Sequence, residues 1–426
     1  MSVISMQKNN GEKFNAKNES KETLKDAVRS GSENNREITV DRLSMSNLKE
    51  AFDTSSKMSF SDSRDYYKSK VNNIDYTKQD IEEICKIIDV NEKTGIFISE
   101  AINKIIKDGD VIYLDFNGRK VDYLAYGLMR GTVIVRGDAG NYAGGFMGGS
   151  AKLKIYGNAG FRTGTSNKDD AYVLVHRDVG DEAGISMSGN AKLEIYGNAG
   201  FRTGGYSTDC AYVLVHGDVK DKAGISMSSN AKLEIYGNAG ACTGELSRHY
   251  INILVHGDVG DKAGISMSGN AKLEIYGNAG ACTGELSSDH AYILVHGDVG
   301  DKAGSSMSGN AKLEIGRNAG MDVGYMSRGN ASILVHGNAG DSFGFNANES
   351  ARIKVEGNAG DWAGAYLGNY FPSPQDVEIV IEGSAGKNVG ERSAGGRIYV
   401  SGKIAGLGDG RAHIYQNGKR VDYNRD

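Results

Sequence analysis

The chain has 426 residues, with 49 Lys and Arg against 54 Asp and Glu and a net charge of −5. So slight an acidic balance gives no electrostatic reason to expect nucleic acid or an anionic membrane surface as a partner. No apolar run reaches the length that spans a bilayer and the amino terminus carries no signal-peptide core, so the expectation is a cytoplasmic protein with no membrane span.

Residues 1–76 are rich in Lys, Asn, Ser and Glu and are expected to form a largely disordered tail. One short helix is expected near Asn47, where Asn47 and Glu50 make a weak capping-box pattern ahead of Ala51 and Phe52. Residues 77–110 read as a helical cap. Ile81, Ile84, Cys85 and Ile88 share one helix face; Phe97, Ala101, Ile102, Ile105 and Ile106 mark a second helix that stops near Gly109. These helices would cover the first strand, whose open edge otherwise invites strand addition.

Strand periodicity begins at Val111-Ile112-Tyr113-Leu114 and continues to His413-Ile414-Tyr415, so 111–426 forms the third region. Ala-Lys-Leu-Glu-Ile-Tyr-Gly-Asn-Ala-Gly starts at Ala191, recurs at Ala231 and Ala271, and is altered at Ala151 and Ala311. Midway lies a second version, Ala-Tyr-Ile-Leu-Val-His-Gly-Asp-Val-Gly from Ala291. The unit is therefore twenty residues: a strand, then Gly-x-x-Gly-x-x-x-Gly, then a variable turn. The glycines run Gly137, Gly140, Gly144; Gly157, Gly160, Gly164; Gly197, Gly200, Gly204; and Gly237, Gly240, Gly244. They continue as Gly257, Gly260, Gly264 and Gly357, Gly360, Gly364. Within a strand, Leu193 and Ile195 point one way and Glu194 and Tyr196 the other. A strand so short cannot stand alone, so the units must stack as a solenoid, each burying its apolar side against its neighbours. The expected fold is all-β: a single-stranded parallel β-helix of about fifteen coils rising about 4.8 Å each.

Side chains decide between coils of twenty and of forty residues. Forty would stack Glu194, Glu234 and Glu274 directly, and likewise Asp218, Asp258 and Asp298, an unfavourable ladder of like charge. Twenty interleaves Leu174, Leu214 and Leu254 with the Glu row, and Asn198, Asn238 and Asn278 with the Asp row. Sixty glycines suit tight corners, and the only prolines, Pro372 and Pro374, fall where the period is interrupted. In that interruption, Tyr366 to Asp376, a loop is expected to bulge from the coil.

Candidate chemistry is sparse. His176, His216, His256, His296 and His336 form a row alternating with Tyr156, Tyr196, Tyr236 and Tyr276. Histidines two coils apart cannot converge within about 2.0–2.2 Å of one metal ion, so aromatic stacking is the expectation. Asp178, Asp218, Asp258 and Asp298 lack the calcium-binding nonapeptide and are read as turn residues bonding the local backbone. Cys85, Cys210, Cys242 and Cys282 contain no Cys-x-x-Cys pair and read as free thiols. No phosphate-binding glycine loop or nucleophile–base pair is present. No catalytic, cofactor-binding or metal residue is assigned, and no enzyme activity of the isolated chain is expected.

The glycine units resemble the repeat of the glutamate synthase large-subunit carboxyl-terminal domain and of the β-helical subunit of formylmethanofuran dehydrogenase. Asn91, Gly95, Ile98, Ser99 and Ile102 are similarly spaced to the helix preceding the glutamate synthase β-helix. Phe116-Asn117-Gly118 and the run from Gly137 to Gly144 look like its first coils. The resemblance covers roughly residues 90 to 410 and implies a right-handed β-helix that holds other domains or subunits together without catalytic residues. The expected function is thus a non-catalytic scaffold or protein-interaction module, acting through protein partners or self-association. Alternatives are an accessory subunit of a glutamate-synthase-like oxidoreductase, and a surface adhesin or carbohydrate-active β-helix. Candidate contacts are the outward Leu214, Leu254 and Leu294 and the aromatics Tyr370 and Phe371.

Overall fold

Four-residue strands with apolar residues at the second and fourth positions bury one side and expose the other. They run from β1 (Val111–Leu114) to β16 (His413–Gln416), the last ending in polar Gln416, and each of β1 to β15 pairs in parallel with the next in sequence. This computed structural model describes residues 42–55, 60–369 and 376–422. Those from Leu43 onward belong to one packing unit. In β5 (Lys192–Ile195) and β6 (Tyr212–Val215), Leu193 faces Val213 and Glu194 faces Leu214. Leu214 in turn faces Glu234 on the following rung. The coil is therefore twenty residues, and each Glu is separated from the next by a leucine.

The inward residues form one continuous column, with Leu193, Ile195, Val213, Val215, Ile253 and Val255 all fully buried. At most rungs the first glycine of the unit allows adjacent coils to touch, although Arg177 and Arg317 take its place in two units. A β-carbon on Gly237 would lie 2.5 Å from the Gly217 carbonyl oxygen and 2.6 Å from the carbonyl carbon. The third glycine turns the chain: Gly244 has φ +77°. The Asp and Asn side chains differ from the expectation of local turn bonds. Asp178 Oδ1 accepts from the Asn198 N–H at 2.7 Å, and Asn198 Oδ1 accepts from Asp218 N–H at 2.8 Å. They bond across to the next coil because stacking places that N–H directly above them.

Both ends of the ladder are closed. Helices α1 (Arg42–Ser55), α2 (Phe60–Asn72), α3 (Lys78–Ile87) and α4 (Thr94–Ile105) precede β1. Thr77 and Asp80 make a reciprocal capping box at the start of α3. From α3, Glu82 accepts the edge N–H of Tyr113 at 2.8 Å. Arg119 in the first coil donates to the Ile88 and Cys85 carbonyls at 2.6 and 3.0 Å, satisfying the end of α3. Helix α4 meets the first coil so closely that a β-carbon on Gly95 would sit 1.7 Å from the Asp122 carbonyl oxygen. Ser99 donates to the Tyr123 carbonyl at 2.9 Å and accepts from Tyr126 N–H at 3.1 Å. At the far end, Asn417 and Gly418, with φ +48° and +74°, turn the chain into β17 (Lys419–Arg420), which pairs antiparallel with β16.

Two sequence expectations change. The tail to residue 76 is corrected over α1 and α2, and Asn47 and Glu50 lie inside α1 rather than at its start. Leu48, Ala51 and Phe52, and Tyr67 and Val71, are buried. Phe52 and Tyr67 pack their rings 5.4 and 5.3 Å from Phe97 of α4. A few apolar residues at helical spacing suffice once α4 offers a surface, although the surrounding composition is polar. At the interruption, Arg352 of β13 (Arg352–Val355) pairs with Glu378 of β14 (Glu378–Ile381), so the ladder register persists across the longer coil. The expected bulge falls largely on residues 370–375, outside the described residues.

Gly237→Ala should destabilise the protein by about 1–3 kcal/mol, the usual cost of forcing extra atoms into a packed site. Gly137 has no atom within 4 Å of where a β-carbon would stand, so Gly137→Ala should change stability by less than about 0.5 kcal/mol. Urea unfolding followed by circular dichroism checks both; equal losses would contradict the close-contact account.

Candidate interaction surfaces

The solvent face of the strand ladder carries three rows per coil. The first alternates Lys with Tyr, as in Lys192, Tyr212 and Lys232; the second alternates Glu with Leu; the third alternates Tyr with His. Parallel register puts each row in a straight line.

The third row is an unbroken stack of rings from Tyr156 to His296. Successive centroids lie 4.7, 5.6, 4.5, 5.3, 4.4, 5.3 and 4.6 Å apart, and the planes tilt by no more than 13°. Offset-stacked aromatic pairs contribute about 0.5–1.5 kcal/mol beyond their area burial. Among the described residues, no group of three or more His, Cys, Asp or Glu is arranged to hold a metal ion.

Each Glu of the second row is a hub between coils. Glu234 accepts from the Tyr212 hydroxyl at 2.8 Å and meets His256 Nε2 at 3.3 Å. Glu274 is bound by Lys272 at 2.8 Å and meets His296 Nε2 at 3.1 Å. The His216 imidazole, then Lys192 and the Tyr172 hydroxyl, hold Glu194 down to about 2 despite its burial. Hydrogen bonding to Glu314 and Glu356 raises the pKa of His336, whereas burial and then Lys154 lower that of His176. These contacts organise the wall; they do not assemble a nucleophile and base around a cleft.

Leu214, Leu254 and Leu294 lie on this wall, as the alternation predicts, but are half-buried. Their tall neighbours on the rungs above and below cover much of them. Tyr370 and Phe371 lie outside the described residues. The repeat glycines are structural, enabling coil contact or the turn. The cysteines are free thiols, with Cys85 buried and Cys210 exposed. No described helix is long and apolar enough to cross a membrane.

A second surface was not singled out from the sequence. Tyr206, Leu246, Leu286, Met326 and Tyr366 occupy the same turn position at intervals of forty residues. Leu246 and Leu286 are 51% and 52% exposed, and Tyr206 42%. All five adopt left-handed backbone, with φ between 54° and 60°. Between them, in the same conformation, stand Ser226, Ser266, Ser306 and Asn346. The forty-residue recurrence of bulky apolar residues inside a polar turn was the available signal. It was hidden because the turn is the least alike part of the repeat.

Compared with protein-family models, curated proteins and solved structures, the chain matches none.

The histidines should titrate in a definite order. His336, raised, should have its NMR titration midpoint above the ordinary 6.5 and His176, lowered, below it. His336 thus adds stability below pH 6.5 that is lost as pH rises through its folded value, while His176 costs stability as pH falls below 6.5. The reverse order would refute the two environments. Glu194, depressed, adds stability that is lost as pH falls from about 4.5 through about 2. Glu194→Gln should therefore flatten the acid limb of the stability–pH curve, measured by urea midpoint; an unaltered limb would count against the hub.

Proposed function

We propose that this chain is a non-catalytic β-helix scaffold that associates through the turn ridge of Tyr206, Leu246, Leu286, Met326 and Tyr366. One observation carries the reading: Tyr206, Leu246 and Leu286 stand exposed on left-handed backbone, and Met326 and Tyr366 continue the row half-buried. That conformation costs an L-residue about 1–2 kcal/mol. The serines on alternate coils make the same turn without an exposed apolar group, so folding of the single chain does not require leucine there. Covering the ridge with a partner stabilises the assembly by roughly 25 cal/mol per Å² of apolar area removed from water.

The spacing favours a second copy of the chain as that partner. Large residues recur every second rung, about 9.6 Å along the ridge, with a serine or asparagine between them. Two such ridges shifted by one rung set the large residues of one against the small residues of the other. An antiparallel pair repeats this match along its length, as a two-fold interface requires.

Sedimentation velocity of the full chain at micromolar concentration should show a dimer. Leu246→Ser, Leu286→Ser and Met326→Ser together should make it a monomer with an unchanged circular dichroism spectrum. The wall variant Leu214→Lys, Leu254→Lys and Leu294→Lys should still dimerise. A monomeric native chain, or a dimer that survives loss of the ridge, would overturn this assignment.

A further inference from the structure

The ring stack on the strand wall has one missing rung. After Tyr276 and His296 the next residue in the row is Gly316, and after that His336. Where the other repeats read Ile-Tyr-Gly-Asn, this coil reads Ile315-Gly316-Arg317-Asn318, so the ring is gone. The strands on either side keep their register, with Leu294 facing Glu314 and Glu314 facing Leu334. His336 keeps the pose of the earlier histidines: its Nε2 lies 3.0 Å from Glu314, as His296 Nε2 lies 3.1 Å from Glu274. The two imidazoles therefore stand two rungs apart, about 9.6 Å, with a ring-free coil between them.

Exposure identifies the gap as open. The His296 side chain is 42% exposed, against 27% for His216 and 32% for His256 inside the stack. The Glu314 side chain is 37% exposed, against 13% for Glu194 and 16% for Glu274. Gly316 and Arg317 are exposed too. One planar ring placed midway would lie about 4.8 Å from each imidazole. That distance falls within the 4.4–5.6 Å spacings of the filled rungs.

We propose that this missing rung is a binding slot for one phenolic ring, sandwiched between His296 and His336 with its hydroxyl donating to Glu314. The carboxylate fixes the choice of ring. Glu234 stands two residues before the ring of Tyr236, and carboxylates of this row accept phenol donors: Glu234 from the Tyr212 hydroxyl at 2.8 Å and Glu314 from the Tyr292 hydroxyl at 3.1 Å. Glu314 stands in the same relation to the empty position. Glu274 and Glu356, each in contact with one of the two histidines, make the rim acidic and disfavour a carboxylate at that edge. The phenol belongs either to a tyrosine of another polypeptide or to a small molecule.

Fluorine NMR of para-fluorophenol added to the full chain tests the slot. Native protein should broaden and shift the resonance, with affinity on the order of millimolar for so small a ligand. Fluorobenzene, lacking the donor, should bind several-fold more weakly. Gly316→Tyr with Arg317→Gly restores the sequence of the other units, fills the slot, and should weaken binding at least about tenfold. His296→Ala with His336→Ala should do the same by removing both walls, with folding of each variant checked by circular dichroism. If N-acetyltyrosinamide competes better than free phenol, the source is a peptide; if phenol competes better, it is a small molecule. Absence of binding to native protein, or undiminished binding to the filled variant or the histidine variant, would overturn the proposal.

Discussion

The structure depends on backbone hydrogen bonding between successive twenty-residue coils. A four-residue strand with two inward apolar side chains has no core of its own, so each coil is stable only when its neighbours complete the ladder. The ladder is tight enough that Gly237 must lack a β-carbon to pass Gly217. It is also regular enough that Asp and Asn side chains reach the same N–H one coil further on. Glycine content, strand register and the side-chain rows all derive from that one constraint.

A uniform ladder would stack identical charges, and the chain avoids this by alternating two unit types. Glu beside Leu separates carboxylates and leaves them bonded to Lys, Tyr or His from their own and adjacent coils. Tyr beside His builds a ring column in which neighbouring rings differ in polarity. Bulky beside small on the turn ridge follows the same alternation, although Tyr206, Leu246 and Leu286 there remain open to solvent. The forty-residue sequence repeat is thus two physical rungs, chosen so that neighbours complement one another.

Repetition accounts for the regularity of the surface. Nearly equivalent coils give long straight rows of side chains, because parallel register repeats each position from rung to rung. Singular features arise where the repeat fails: at the helical cap, at the hairpin β16–β17, and at Gly316. Each failure has a local physical consequence, closing an edge in the first two cases and opening a ring-sized gap in the third.

The sequence alone determined the solenoid, the twenty-residue coil and the inward and outward sides of each strand, because all three follow from a period that holds without a break from Thr132 to Arg352. Leu193, Val213 and Gly237 could be placed before any coordinates. Tertiary structure decided the rest. It made Leu48, Phe52 and Tyr67 part of an ordered cap, since their burial depends on Phe97 far along the chain. It left Leu214 half-covered while exposing Leu246, because neighbours on other coils, not hydropathy, set how much water each side chain meets. It turned the change from Tyr to Gly at position 316 from one altered letter into a gap between two imidazoles, a relation that exists only once the coils are stacked.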